Sequence, residues 1–170
     1  AFRLGRDNFR WIGGDDYGGV WIREQAEKLG LKAMVRSSTD QLHNLAVQGP
    51  NSREIIKRMI WTAPHQPTIA ELGWFRFTIG RIGDANGAPV VVSRTGYTGE
   101  DGYEIMVPEA SAVTFWNALV AAGVKPAGLG SRDTLRLEAG MNLYGQGMDE
   151  SVSPWEAALA WTVALDEGRD

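Results

Sequence analysis

Two stretches of the chain hold side chains whose types and spacing could do chemistry. The first is Arg94–Glu104, RTGYTGEDGYE, with glycines at 96, 99 and 102. Backbone N–H groups in a glycine-rich loop can cradle an anion. Here Glu100 and Asp101 would repel a phosphate and no lysine attracts one, so the phosphate-loop reading fails. A glycine-permitted connection between two β-runs is the plain alternative. Tyr97, at the loop tip, is either a cover for the core or a stacking platform. Glu104 lies inside the next β-run, between Tyr103 and Ile105. A carboxylate in mid-strand commonly sits on the solvated face. It also presents two coplanar acceptors, which match the adjacent ring N–H and exocyclic NH2 of a 2-amino-4-oxo-pterin much as they match guanidinium.

The second stretch is Gly128–Tyr144, GLGSRDTLRLEAGMNLY. Arg132 and Arg136 fall one turn apart on one helix face, with Arg132 in the first turn. A cation there opposes the helix macrodipole, at about 0.3–1 kcal/mol when exposed. Either it forms a surface pair with Asp133, or it is held beside the loop as a clamp for an anion or ligand. Tyr144, just past this helix, lines the same pocket or caps the core. The sequence-adjacent carboxylates Asp15–Asp16 and Asp149–Glu150 point apart on any regular element and suggest no acid/base dyad. The tryptophans form no stripe and read mostly as core.

Composition narrows the chemistry further. The 170 residues are 44% hydrophobic and 22% charged, ordinary for one soluble globular domain. There is no cysteine, which excludes disulfides, thiolate nucleophiles and zinc–thiolate sites. His43 and His65 lie far apart, and no metal site is expected. A net charge of −4 gives no basis for nucleic-acid binding through bulk attraction. No apolar run is long enough to span a bilayer, and AFRLGRDN lacks the layout of a signal peptide. The expected location is cytoplasmic, or the mitochondrial matrix in a eukaryote, with no membrane partner.

The elements that must position these residues are mixed. Phe2–Leu4 and Phe9–Ile12 flank a turn and predict a hairpin. Ile22, Ala26 and Leu29 repeat at helical spacing within Tyr17–Leu29, with Gly30 as the stop. Leu31–Arg36 and Leu42–Val47 read as strands. Asn51 and Glu54 have the form of a capping box before a helix facing the core through Ile55, Ile56, Met59 and Ile60. Trp74–Ile82, Pro89–Arg94 and Gly102–Val107 are further strands, the first two joined by a turn at Asp84–Gly87. A helix over Ala110–Ala122 is expected to bury Ala112, Trp116, Leu119 and Val120. Another, over Ser131–Met141, should bury Thr134, Leu137 and Met141. Asn142–Pro154 is a long loop and Ala160–Leu165 a candidate last strand. The class is α+β, and the strand–strand–helix–strands–helix order occurs roughly twice, hinting at a duplicated plait.

The segments SRTGYTGEDGYEIMVP (Ser93–Pro108) and AGLGSRDTLRLEAGMNLYGQGMDESVSP (Ala127–Pro154) closely resemble signature stretches of the glycine-cleavage T-protein, or aminomethyltransferase, family. LAVQGPNSREII (Leu45–Ile56) matches a third stretch more loosely. The resemblance runs from about Leu42 onward. It implies a folate-binding domain of paired plait-like (ferredoxin-like) subdomains, here a single domain over 1–170 that is incomplete at both ends. The implied activity is tetrahydrofolate-dependent transfer of an aminomethyl unit from a lipoyl carrier protein, with release of ammonia. By motif, Glu104 and Arg132 carry over as folate contacts facing one cavity, with Tyr97 and Tyr144 as further pocket residues.

The family's essential aspartate is expected upstream of this stretch and a barrel-like domain downstream, so the chain alone should lack transferase activity, expose apolar surface and self-associate. Phe9–Gly19, FRWIGGDDYGG, departs from the family pattern. That keeps open a relative that demethylates a small methylated amine, sulfonium or methoxy compound. A non-catalytic folate-binding scaffold is the remaining alternative. Its marker cysteine would fall within Asn142–Gln146, where this chain has none.

Overall fold

In Gly102–Pro108 every second side chain is apolar and fully enclosed: Tyr103, Ile105 and Val107 are each 0% exposed. That is the period of a strand with one face in a core. The computed structural model of the chain describes residues 1–163 and 165, which fall into two compact units. One unit comprises Ala1–Gly96 with Asp101–Lys125; the other comprises Tyr97–Glu100 and the chain from Pro126 onward.

The first unit contains strands β1 (Phe2–Gly5) and β2 (Asn8–Arg10), helix α1 (Tyr17–Lys28), strand β3 (Leu42–Gln48), helix α2 (Ser52–Met59), and strand β4 (Ile60–Thr62). It continues with β5 (Phe77–Ile82), β6 (Pro89–Ser93), β7 (Gly102–Pro108) and helix α3 (Glu109–Ala121). β1 and β2 form the expected antiparallel hairpin. The other five strands make one antiparallel sheet in the order β3-β7-β6-β5-β4, with α2 joining the two edge strands. The turn at Asp84–Gly87 requires its glycine, because a Cβ on Gly87 would lie 1.7 Å from the Ile82 carbonyl oxygen. The core lies on one face of this sheet. Ile56 of α2 and Phe115 and Leu119 of α3 pack there with Val47, Val92, Tyr103, Ile105 and Val107. The Tyr103 hydroxyl donates to the Ile69 carbonyl at 3.2 Å, and burial pushes its phenol pKa up.

Several expectations fail for identifiable reasons. Leu31–Arg36 forms no strand: Leu31 and Met34 are 60% and 91% exposed, so the stretch buries no face that would hold it against a sheet. β5 begins at Phe77 rather than Trp74, because Phe75 takes a φ of +56°, which breaks the extended backbone. Helix α3 turns Phe115 into the core, leaving Trp116 43% and Val120 40% exposed. All seven tryptophans prove at least 36% exposed, against the expectation that most are core.

The capping box does not form. Asn51 already has helical φ and ψ and its side chain makes no capping hydrogen bond, while Glu54 pairs with Lys57 at 2.5 Å. Asn51→Ala should therefore cost well below the ~1 kcal/mol typical of a working N-cap. A thermal melt showing a loss of several degrees would contradict this.

In the second unit, helix α4 spans Leu129–Glu138. Leu137 is 64% exposed and Thr134 is also exposed, while Met141 is half-buried. The enclosed side chain is instead Arg136, 9% exposed, whose guanidinium donates to Asp133 at 2.8 Å and to the Met141 carbonyl at 3.2 Å. With its donors satisfied in this way, a buried arginine is tolerated. Asn142–Pro154 is irregular as expected, apart from a bridge between Tyr144 and Met148. Ala160–Thr162 is a single 3-10 turn rather than a strand, and the remainder of that predicted strand falls partly outside the described residues.

Candidate functional site

Because Tyr103 and Ile105 point into the core, the residue between them must point away from it. Glu104 accordingly lies on the opposite face of the sheet, half-buried, paired in register with Ala46 of β3 and Ser93 of β6. Its carboxylate is held at both oxygens. Asn44 Nδ2 donates to Oε1 at 2.9 Å and the Thr95 hydroxyl donates to Oε2. Ser93 Oγ lies 2.8 Å from Thr95 Oγ1, and Ser93 is 0% exposed. Ala46, directly across from Glu104, is small and exposed, so no bulky side chain covers the carboxylate from the β3 side.

The loop after β6 is anchored where it leaves this unit and where it returns. Gln48 Nε2 donates to the carbonyls of Thr95 at 3.2 Å and Tyr103 at 3.1 Å. A Cβ on Gly96 or Gly102 would meet the Gln48 side chain at 2.1 or 2.3 Å, which explains glycine at both positions. Arg94 Nε donates to Asp101 at 2.9 Å, and its guanidinium lies 4.6 Å from the centre of the Trp74 ring. Arg53 adds a second, longer contact to Asp101 at 3.6 Å. These partners were not foreseen from the sequence. Asn44, Ser93 and Thr95 meet Glu104 only through strand register, which the sequence alone does not give.

The second unit brings Arg132 and Tyr97 together. The Arg132 guanidinium lies 4.8 Å from the centre of the Tyr97 ring, and the Tyr97 hydroxyl donates to the Asn142 carbonyl. The aromatic ring at the loop tip is thus fixed through its polar end. Gly99, at a φ of +73°, lets the loop pass α4: a Cβ there would sit 2.6 Å from the Ala139 methyl. Among the described residues no carboxylate lies within ion-pair range of Arg132; Asp133 pairs with Arg136 instead. Tyr144 is 63% exposed and makes no ring contact with Tyr97 among the described residues. Glu104 belongs to the first unit and Arg132, Tyr97 and Tyr144 to the second. The described residues contain no group of three or more acidic or histidine side chains able to hold a metal ion, and no helix long and apolar enough to cross a membrane.

The first unit is thus α+β with a donor-held carboxylate on the sheet face away from its core, and the second holds an arginine over a tyrosine ring. The GCVT N-terminal domain family matches residues 1–167, and the chain belongs to that family, whose members are folate-dependent. A Ruegeria pomeroyi protein named trimethylamine-oxide aldolase is 58% identical over 174 residues, which cover 100% of this chain and 22% of that protein. An aminomethyltransferase of Stenotrophomonas maltophilia is 55% identical over 151 residues, covering 89% of this chain and 39% of the relative. An aminomethyltransferase of Xanthomonas oryzae is 53% identical over 150 residues, with 88% and 39% covered. The chain thus spans between about a fifth and two fifths of the length of these relatives. The family match starts at residue 1, so it includes Phe9–Gly19, where the motifs had indicated a departure.

Proposed function

We propose that this chain binds tetrahydrofolate and serves folate-dependent one-carbon transfer in the manner of the aminomethyltransferases, with its sheet as one of the family's paired plait-like subdomains. The observation that carries this reading is the half-buried Glu104 carboxylate, facing away from the core with a donor on each oxygen. Each carboxylate oxygen has two acceptor positions, so one on each remains for a ligand. A pterin edge offers two adjacent donors, and the group fits. On the family motifs alone, Arg132, whose guanidinium lies over the Tyr97 ring, is proposed as a further folate contact, as are Tyr97 and the exposed Tyr144. Tetrahydrofolate, when bound, supplies the nitrogen that takes up the one-carbon unit. The protein's own part is to bind and orient the ring and the anionic tail.

Calorimetric titration with 5-formyltetrahydrofolate tests the reading. One saturable site per chain is expected, with a rise in melting temperature, since ligand at 100 times Kd adds about 2.7 kcal/mol. Absence of both binding heat and a melting shift would overturn it. Arg132→Ala should weaken binding by about three- to tenfold, the worth of one partly exposed charge contact. Raising the salt concentration should erode the wild-type affinity more than that of the variant. Equal salt dependence in both would remove Arg132 from the site.

A second reading is favoured by the Ruegeria relative, whose name makes trimethylamine oxide its substrate. In that case the one-carbon unit comes from a small methylated amine and the folate domain receives it. The two donors are separated by supplying the protein with tetrahydrofolate and either an aminomethylated lipoyl carrier or trimethylamine oxide. Ammonia release with the carrier supports the first reading. Tetrahydrofolate-dependent consumption of trimethylamine oxide supports the second.

A further inference from the structure

We infer that Asn44 and Thr95 are positioning residues that fix the plane of the Glu104 carboxylate, and that buried Ser93 sets the direction of the Thr95 proton; this rests on the reading of Glu104 as the ligand's acceptor. The terminal torsion of a glutamate is broad and roughly two-fold, so a carboxylate has no preferred plane of its own without partners to fix it. Here it is gripped from β3 on one side and from the segment just after β6 on the other. Asn44 sits on β3, two residues along from Ala46, the register partner of Glu104, and so shares its face. Thr95 follows the end of β6 by two residues and reaches the other oxygen.

The hydrogen-bond polarity is determined by counting protons. An ionised carboxylate only accepts, so the single Thr95 proton is committed to Glu104. The Thr95 oxygen can then accept from Ser93, 2.8 Å away. Ser93 is fully buried, and among the described residues its other hydrogen-bond acceptor is the Glu104 carbonyl at 3.4 Å. The Asn44 amide turns its nitrogen to the carboxylate for the same reason. Ser93, Thr95 and Asn44 thus all donate toward one group. The acceptor edge that remains is planar and fixed, and it selects a ligand with two adjacent donors over one presenting carbonyl oxygens. The two grips differ in weight. Thr95 is half-buried and tied to buried Ser93, whereas Asn44 is exposed and competes with water.

The test is calorimetric titration of 5-formyltetrahydrofolate into wild type, Thr95→Val, Thr95→Ser, Asn44→Leu, Glu104→Gln and the Thr95→Val/Glu104→Gln double variant, with a thermal melt of each. Thr95→Val should weaken binding about five- to tenfold and Asn44→Leu about two- to threefold, while Thr95→Ser should restore affinity to within about twofold. In the Glu104→Gln background, Thr95→Val should add almost nothing, because its effect passes through the carboxylate. A merely structural threonine would weaken binding equally in both backgrounds, and that result overturns the positioning role. So does undiminished affinity in Thr95→Val alongside a weakened Glu104→Gln, which leaves the Glu104 reading intact. Unchanged affinity in Glu104→Gln itself overturns both. If the valine variant does not fold, Asn44→Leu compared between the wild-type and Glu104→Gln backgrounds decides the same question.

Discussion

Glu104→Gln is expected to weaken folate binding by about tenfold to a hundredfold while leaving the fold intact. A hydrogen bond to a charged group contributes about 1.5–3 kcal/mol, and the substitution turns one acceptor into a donor that faces a ligand donor. The protein itself can absorb the change. Asn44 needs only an acceptor, which the glutamine oxygen still provides. Thr95 can accept from the new amide and turn its proton to Ser93, whose own proton has the Glu104 main-chain carbonyl within 3.4 Å. The melting temperature should therefore move by no more than about 2 °C, in keeping with a substitution that creates neither a cavity nor a buried unpaired group. Titration of both proteins with 5-formyltetrahydrofolate, alongside melts, separates the two effects. A well-folded variant with undiminished affinity would remove Glu104 from the site.

The parts legible in the sequence are those where one residue's environment follows from its immediate neighbours. Alternation in GYEIMVP ties Tyr103 and Ile105 to one face and Glu104 to the other, and the sheet turns the first pair into the core. Asp84–Gly87 likewise announced its hairpin through local turn chemistry. What the sequence could not give was register. Asn44 and Glu104 are 60 residues apart, and only the antiparallel pairing of β3 with β7 puts them on one face. Arg132 and Arg136 illustrate the same limit on a helix. Their spacing puts both on one face, and Arg132 alone reads as a candidate clamp; the structure closes Arg136 on Asp133 and the Met141 carbonyl at the end of its own helix and sets Arg132 over the Tyr97 ring. Leu31–Arg36 failed differently: its composition permits a strand, yet with Met34 at 91% exposure nothing is buried in return for extending it.

Helix α3 is where the pattern misleads most, and there the largest stability effect is expected. EASAVTFWNALVA is apolar on most of its circumference, so periodicity does not distinguish Phe115 from Trp116 as the core residue. Adjacent helical residues point about 100° apart, so only one of them can face the sheet squarely. Phe115 is 1% exposed and lies in the cluster with Tyr103, Ile105 and Leu119, whereas Trp116 is 43% exposed. Phe115→Ala should therefore cost about 3–5 kcal/mol, through lost burial and the cavity left behind. For a protein of this size that lowers the melting temperature on the order of 10 °C. Trp116→Ala should cost about 1 kcal/mol or less despite removing the larger side chain, because much of the indole already meets water. Urea denaturation of both variants measures the difference directly, with equal m-values confirming that the same surface is exposed on unfolding. A greater loss for Trp116→Ala would mean that α3 is rotated by one residue from the orientation described. The sheet face that sets Glu104 opposite the core would then be packed against a different side of the helix.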